Sequence, residues 1–466
     1  MKGFTLLRAS RARIQRFVAG VAATAFAATL LSVDAAVLAY VPSHTGSSVT
    51  VVDTASNALL TSIAVSSAPI GVAASPDGRF IYVASHNGNA ISVISTNAQS
   101  VVATIVVAGK PMGVAVSPDG SRLYVTHFAP AAASGAGSVW VGGTLSVIDT
   151  LARTVLGAIN VGANPAGVAV APNGSRVYVA NAGDGTVSVV TAASNTVTAT
   201  LAVQSNPVGV AASADGQRVY VANSGSASLS VIDATSLTVT NSITVGGYAS
   251  GVAVSDDSSR VLVSNNFDDS VSVIDAATLA VVATIKSGIG AAPSGVAFIP
   301  GTANALVANT QGATLSRVAT ATASASVVTP ASLGWPISLG KFIATTPTCA
   351  LDVSGDNLVT GASDGLLILR YLLGVRGSAL IQNVSGIASG VTAPIIEQRI
   401  AALNVDADGD GTSQATTDGL LLVRAMLHLT GTALIGNARN TGFGGVRSAS
   451  QILQWITDTH GASCLL

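Results

Sequence analysis

Two stretches near the end of the chain carry the residue pattern most suited to chemistry. Asp352-Val-Ser-Gly-Asp-Asn-Leu-Val-Thr360 and Asp406-Ala-Asp-Gly-Asp-Gly-Thr-Ser-Gln414 set oxygen-bearing residues at alternate positions. A hard cation such as Ca²⁺ needs that arrangement, with side-chain oxygens at loop positions 1, 3 and 5, a carbonyl at 7, a further ligand at 9 and a turn-forming residue at 6. The second loop supplies Asp406, Asp408, Asp410, Thr412 and Gln414 in that order, with Gly411 at the turn. The first supplies Asp352, Ser354, Asp356, Leu358 and Thr360, with Asn357 at the turn. Each loop runs into an apolar, helix-like stretch through Asp364 or Asp418, which would close the coordination sphere. Two Ca²⁺ sites are therefore expected. The plain alternative is a pair of solvated acidic turns.

Other reactive residues are scattered. The chain has no Gly-x-Ser-x-Gly, no His-Glu-x-x-His and no glycine-rich phosphate loop, so no catalytic constellation is expected. Three of the five histidines, His44, His86 and His127, recur at similar offsets from Tyr40, Tyr82 and Tyr124. They are expected on one surface, either as a metal or anion site or as plain turn residues. Phe128, Trp140, Phe267 and Asp268, with Tyr248 and Asp269 nearby, fall close to the same surface and make it the candidate partner-binding face. Cys349 and Cys464 are the only cysteines, and their even number suggests a bridge if the chain is exported.

A repeat must position these residues. Gly113-Val-Ala-Val-Ser-Pro-Asp-Gly-Ser-Arg-Leu-Tyr-Val125 recurs with starting glycines at 71, 113, 167, 209, 251 and 295, mostly in steps of 42 with one of 54. Each unit holds four short Val/Ile/Thr-rich runs, and Pro-Asp-Gly or Pro-Asn-Gly joins the first run to the second. Proline presets φ and glycine takes the positive φ of the turn. Four strands at this period predict a propeller blade. The array begins at Val37–Val41, which matches a second strand, and ends at Trp335–Ile343, which reads as a decayed first strand. The two should share a blade, closing a ring of seven and leaving no open sheet edge at the seam. The long step is an insertion around Ala129–Gly143, on the candidate face.

Val177-Tyr-Val-Ala-Asn181, Val219-Tyr-Val-Ala-Asn223 and the Ser-Val-Ile-Asp segments resemble the YVTN family of β-propeller repeats. That resemblance covers about 36–345 and implies a secreted or surface protein, with enzymes among relatives of the same shape. No Cys-x-x-Cys-His is present, which sets haem-carrying propellers aside as close functional relatives. After Thr345 the strand rhythm stops, and a duplication with an offset of 54 pairs Asp352 with Asp406 and Arg370 with Arg424. These two loop–helix copies resemble dockerin type I domains, which are paired EF-hand-like calcium modules. They depart from that pattern in closing with Asp at position 13, where an EF-hand has Glu at 12, and in a longer spacer. The fold class expected is therefore an all-β seven-bladed propeller over 36–345, followed by a small helical calcium-loop domain over 346–466.

The N-terminus completes the sequence picture. Lys2, Arg8, Arg11, Arg13 and Arg16 precede an apolar run, Phe17–Val33, and small residues at 33 and 35. This predicts a signal peptide over 1–35; an uncleaved anchor is the alternative. Of 21 Lys+Arg and 22 Asp+Glu, the segment removes five and one, leaving 16 against 21. No basic cluster survives, so neither a nucleic-acid partner nor a membrane span is expected in the mature chain. The functional expectation is an exported binding or structural propeller, with a protein or envelope polymer as partner and a calcium-dependent module for assembly or tethering. A propeller hydrolase or lactonase acting at the channel mouth is the alternative.

Overall fold

Val, Ile and Thr alternate with small residues in every run of the repeat, and each unit becomes one antiparallel four-stranded meander. The computed structural model describes residues 36–96, 98–128, 143–329, 333–346, 351, 364–384, 387, 392–401, 403, 405, 407, 415–426 and 447–460. It contains seven such sheets, and the chain is a seven-bladed β-propeller. One blade illustrates the pattern with strands Pro165–Val170, Arg176–Asn181, Thr186–Thr191 and Thr196–Ala202, paired in that order. The first strand lines the central channel, and the fourth is the outer edge with alternating exposed side chains.

The glycine that opens each repeat has a packing cause. A Cβ at Gly71 would lie 2.0 Å from the Met112 carbonyl oxygen, and one at Gly209 would lie 2.2 Å from that of Ser250. Neighbouring inner strands approach too closely at the channel waist for any side chain there. The turn after each inner strand also behaves as its residues require. Gly120 takes φ +73°, while Ser117 donates to Asp119 Oδ1 at 2.5 Å and accepts the Arg122 N–H at 2.9 Å. The same serine–aspartate brace recurs at Ser75–Asp77, Ser213–Asp215 and Ser255–Asp257.

Apolar side chains between blades form the core. Tyr178, Val187 and Val189 of one blade pack with Val219, Val221 and Ile232 of the next. Full burial of each aliphatic side chain contributes about 1.5–3 kcal/mol. Polar staples reinforce the seams: Gln99 Nε2 donates to the buried Tyr40 hydroxyl at 3.0 Å, and Thr126 Oγ1 donates to the Ala166 carbonyl at 2.6 Å. The Arg176 and Arg218 guanidiniums donate to the carbonyls of Ala234 and Ala276.

The ring closes as the sequence predicts, with one difference. Val37, Leu38 and Ala39 pair with Thr345, Ala344 and Ile343, and Pro336 bridges Ser43. In a regular blade Pro69 pairs with Ser85 and Ala74 with Ile81. The span from Pro336 to Ile343 is therefore two residues longer than the span from Pro69 to Ala74. Only Ile343–Thr345 is regular strand; the excess bulges over Ser338–Lys341, where Gly340 takes φ +118°.

Beyond the ring, short helices at Leu366–Leu372, Ser378–Ile381, Ala393–Ala401, Leu420–Met426 and Ala449–His460 share a separate core. Leu367 and Ile368 pack with Leu421, Leu422 and Met426. A Cβ at Gly365 would lie 3.0 Å from Val423 Cγ2, so glycine lets the duplicated helices approach. The predicted signal segment, both cysteines, Trp140 and the loop ligands Asp352, Ser354, Asp356, Leu358, Thr360, Asp406, Asp408, Asp410, Thr412 and Gln414 lie outside the described residues.

Candidate functional site

The loop before each inner strand and the loop after each second strand meet on one face of the ring. A repeated hydrogen bond builds that face. The N–H of His44, His86, Ala182, Ser224, Asn266 and Thr310 donates to the carbonyl of Trp335, Ala68, Asn164, Asn206, Tyr248 and Ala292 respectively, at 2.9–3.1 Å. Several of these acceptor residues are left-handed, including Ala68 at φ +56°, Asn206 at +53° and Tyr248 at +54°. Asparagine tolerates that region readily, whereas a bulky tyrosine is held there by its surroundings.

Tyr248 stacks on Phe267, with ring centroids 4.6 Å apart and planes at 28°. Phe267 is 75% exposed. The turn Asn266–Asp268 carries it, anchored by Asp268 Oδ2 accepting the Gly247 N–H at 2.7 Å and Asp269 Oδ1 accepting the Ala292 N–H at 2.7 Å. The two carboxylates thus brace the turn and present the aromatic pair to solvent. Trp335 is also exposed on this face.

The three histidines separate into two kinds. His86 is half-buried; its Nδ1–H donates to the Pro111 carbonyl at 3.3 Å, and its ring meets Phe128 edge-on at 6.2 Å. Asn266 and Thr310, at the equivalent point of their blades, also donate to the proline carbonyl of the next inner strand, Pro293 and Pro336. His86 is therefore a brace between blades. Burial, with Lys110 and His44 nearby, holds its imidazole below the ordinary value. His44 sits at the matching place in the first blade, with Nδ1 buried and without a hydrogen-bond partner among the described residues.

His127 does not belong to this surface, contrary to the expectation. It lies within strand Arg122–Phe128, is 3% exposed, and pairs with Thr144 as Asn181 pairs with Thr186. Its Nε2 meets Ser146 Oγ at 2.8 Å, as Asn181 Nδ2 meets Ser188 Oγ at 2.9 Å. Burial lowers its pKa to about 4, so it is neutral at ordinary pH. The physical reason is where the strands end. His44 and His86 stand four residues after their tyrosines, in the turn just beyond strands Val37–Ser43 and Phe80–Ser85, whereas His127 stands three after its own, at the paired strand position that Ser85 and Asn181 occupy in their blades. Among the described residues no group of three His, Cys, Asp or Glu could hold a metal ion.

The channel widens toward the Pro-Asp-Gly turns into a cavity of about 310 Å³, walled mainly by Val and Ala, with Asp256 and Lys341 at its lining. Nothing in the sequence period marks this site, because Lys341 sits in the decayed seventh inner strand.

In the helical segment, Asp364 and Asp418, the two proposed closing ligands, are completely buried at equivalent points of the duplication. Thr417 Oγ1 donates to Asp418 Oδ2 at 3.1 Å.

With this geometry in view, comparison with known proteins is informative for the fold. A family model described as the cytochrome D1 heme domain matches residues 175–297. Hydrazine synthase of Kuenenia stuttgartiensis is similar at 19% identity and a TM-score of 0.52, over 60% of this chain and 91% of that chain. A functionally unknown protein from Desulfotomaculum acetoxidans DSM 771 is similar at 16% identity and a TM-score of 0.57, over 66% and 99% respectively. No curated protein matches. The chain is thus a seven-bladed β-propeller similar in architecture to these. The matched family segment lies wholly within the ring, so the dockerin resemblance rests on the C-terminal residues alone.

The family match raises haem as a ligand, and the absence of Cys-x-x-Cys-His speaks only to covalent attachment. Haem iron takes its axial ligand from His, Cys, Met or Tyr. Among the described residues none of these lines the channel cavity, and the rim histidines open on the opposite face. The residues present do not fit a haem there.

Proposed function

We propose that this is an exported binding propeller that holds a protein or envelope polymer on its aromatic rim and is tethered or assembled through a calcium-loaded C-terminal module. The exposed Tyr248–Phe267 stack carries the reading. A rigid aromatic pair, braced from below by two carboxylates and left open to solvent, gains by covering a partner's apolar face. The YVTN-type repeats and the basic, then apolar, N-terminus support export. The duplicated acidic loops, each leading into its helix through a buried aspartate, Asp364 or Asp418, support the calcium module. A metal in the two acidic loops would couple them to the helical core.

The experiment is binding of the full chain to isolated envelopes of the producing cell, with wild type compared against Phe267→Ala and Tyr248→Asn, in calcium and in chelator. Loss of binding in the rim variants supports the rim, and release by chelator supports the tether. Binding indifferent to both refutes the reading.

A further inference from the structure

The wide end of the channel is a second candidate site, on the face opposite the aromatic rim. We propose that it binds a small monocarboxylate with a short hydrocarbon tail, the carboxylate meeting Lys341 and the tail lying against the valine and alanine wall. Six of the seven inner strands are near-copies, so a departure in the seventh is informative. Where the others run straight to end pairs such as Ala253-Val254, with Phe298 the one larger residue, the seventh inserts two extra residues over Ser338–Lys341, and Gly340 and Lys341 line the cavity there. Lys341 is the one basic residue among the described residues of the cavity wall.

The backbone is shaped to place it there. The two extra residues of this strand bulge at the channel, and Gly340 takes φ +118° where an added Cβ would lie 2.5 Å from the Val72 carbonyl oxygen. The flanking chain is nonetheless fixed: the Val72 and Ala74 N–H groups donate to the carbonyls of Leu339 and Lys341 at 3.1 and 3.2 Å.

Charge selects the ligand class. Lys341 makes no ion pair among the described residues. Asp256, the one acid among the described residues of the wall, accepts the Gly301 N–H at 3.1 Å. One ammonium suits a single carboxylate through a charge-assisted hydrogen bond. A dianion would be left half-compensated, and a cation would find only the partly engaged Asp256. The volume of about 310 Å³ lies at the small end for ligand pockets, and its apolar wall rewards a tail.

Calorimetric titration of the full chain with sodium butanoate, hexanoate and octanoate tests this, with hexylammonium and inorganic phosphate as controls. Saturable hexanoate binding is expected, with affinity rising about fourfold per buried CH₂. Lys341→Gln should weaken it by at least about tenfold and Lys341→Arg should retain most of it. Val254→Phe, which copies the residue of a neighbouring blade, should block the tail without harming the fold. Phe267→Ala should leave hexanoate binding unchanged, so failure here is separable from failure of the rim. The proposal is overturned by absence of saturable hexanoate binding, by equal binding to Lys341→Gln, or by equal binding of hexylammonium or phosphate.

Discussion

The N–H of Tyr40 donates to the carbonyl of Phe342 at 2.8 Å, joining the beginning of the ring to its end. Both residues are fully buried, and the Tyr40 hydroxyl, pushed up to about 12 mainly by burial, stays neutral where it accepts from Gln99. Removing the Phe342 ring should therefore open the seam as well as leave a cavity. Phe342→Ala is expected to cost about 3–5 kcal/mol, measured by denaturant unfolding. A loss below about 1 kcal/mol would show that the seventh inner strand does not hold the ring together.

Glycine at the channel waist gives a contrast within one protein. Gly209→Ala would drive a Cβ to 2.2 Å from the Ser250 carbonyl oxygen, whereas a Cβ at Gly157 meets nothing within 4 Å. The first should destabilise by about 1–3 kcal/mol. The second should be neutral or stabilising by up to about 1 kcal/mol, because alanine lowers the entropy of the unfolded chain. Equal effects in thermal unfolding would contradict the packing role of the repeat glycine.

His127 predicts a specific acid sensitivity. Its folded pKa, about 4, lies below the ordinary imidazole value of 6.5, so the unfolded chain takes up the proton first as pH falls. Its contribution is fully present above about pH 6.5 and is lost between there and about 4, with a ceiling of roughly 3 kcal/mol. His127→Asn, the residue the later blades use, should flatten the stability profile in this window. The serine-braced turn aspartates Asp119 and Asp257, whose pKa values are lowered mainly by hydroxyl and N–H donors, should destabilise only at lower pH, below their unfolded value near 3.8. A profile unchanged by His127→Asn between pH 6.5 and 4 would contradict the buried, neutral imidazole.

The proposed calcium module makes its own prediction. Calcium should raise the melting temperature of the C-terminal segment in the full chain, and chelator should lower it. Asp410→Ala should weaken the response more than Ser354→Ala, since it removes a charged ligand. Melting indifferent to calcium and chelator would leave two acidic turns.

Much of the ring was legible because period, turn residues and strand alternation agree at every repeat. Pro118-Asp119-Gly120 announces its turn, Gly113 its crowded waist, and Val37–Val41 its place as a second strand. The misreading of His127 came from treating offsets of three and four as equivalent, although three is a paired strand position and four, in the first two blades, is the first residue of the turn. The Lys341 cavity was hidden because the seventh inner strand has lost the repeat's spacing, and its two-residue bulge appears only once Pro336 and Ile343 are paired across the sheet. The Tyr248–Phe267 contact joins a loop before an inner strand to a loop after a second strand. Their place on one face was predictable, but not their stacking.

Co-sedimentation of the purified protein with envelopes of the producing cell, comparing wild type and Phe267→Ala in calcium, tests the central claim most directly. Wild type should pellet with the envelope, and Phe267→Ala should bind at least about tenfold more weakly, as loss of an aromatic anchor does. Equal pelleting of the two proteins, or wild type remaining in the supernatant, would contradict the aromatic rim as the binding surface.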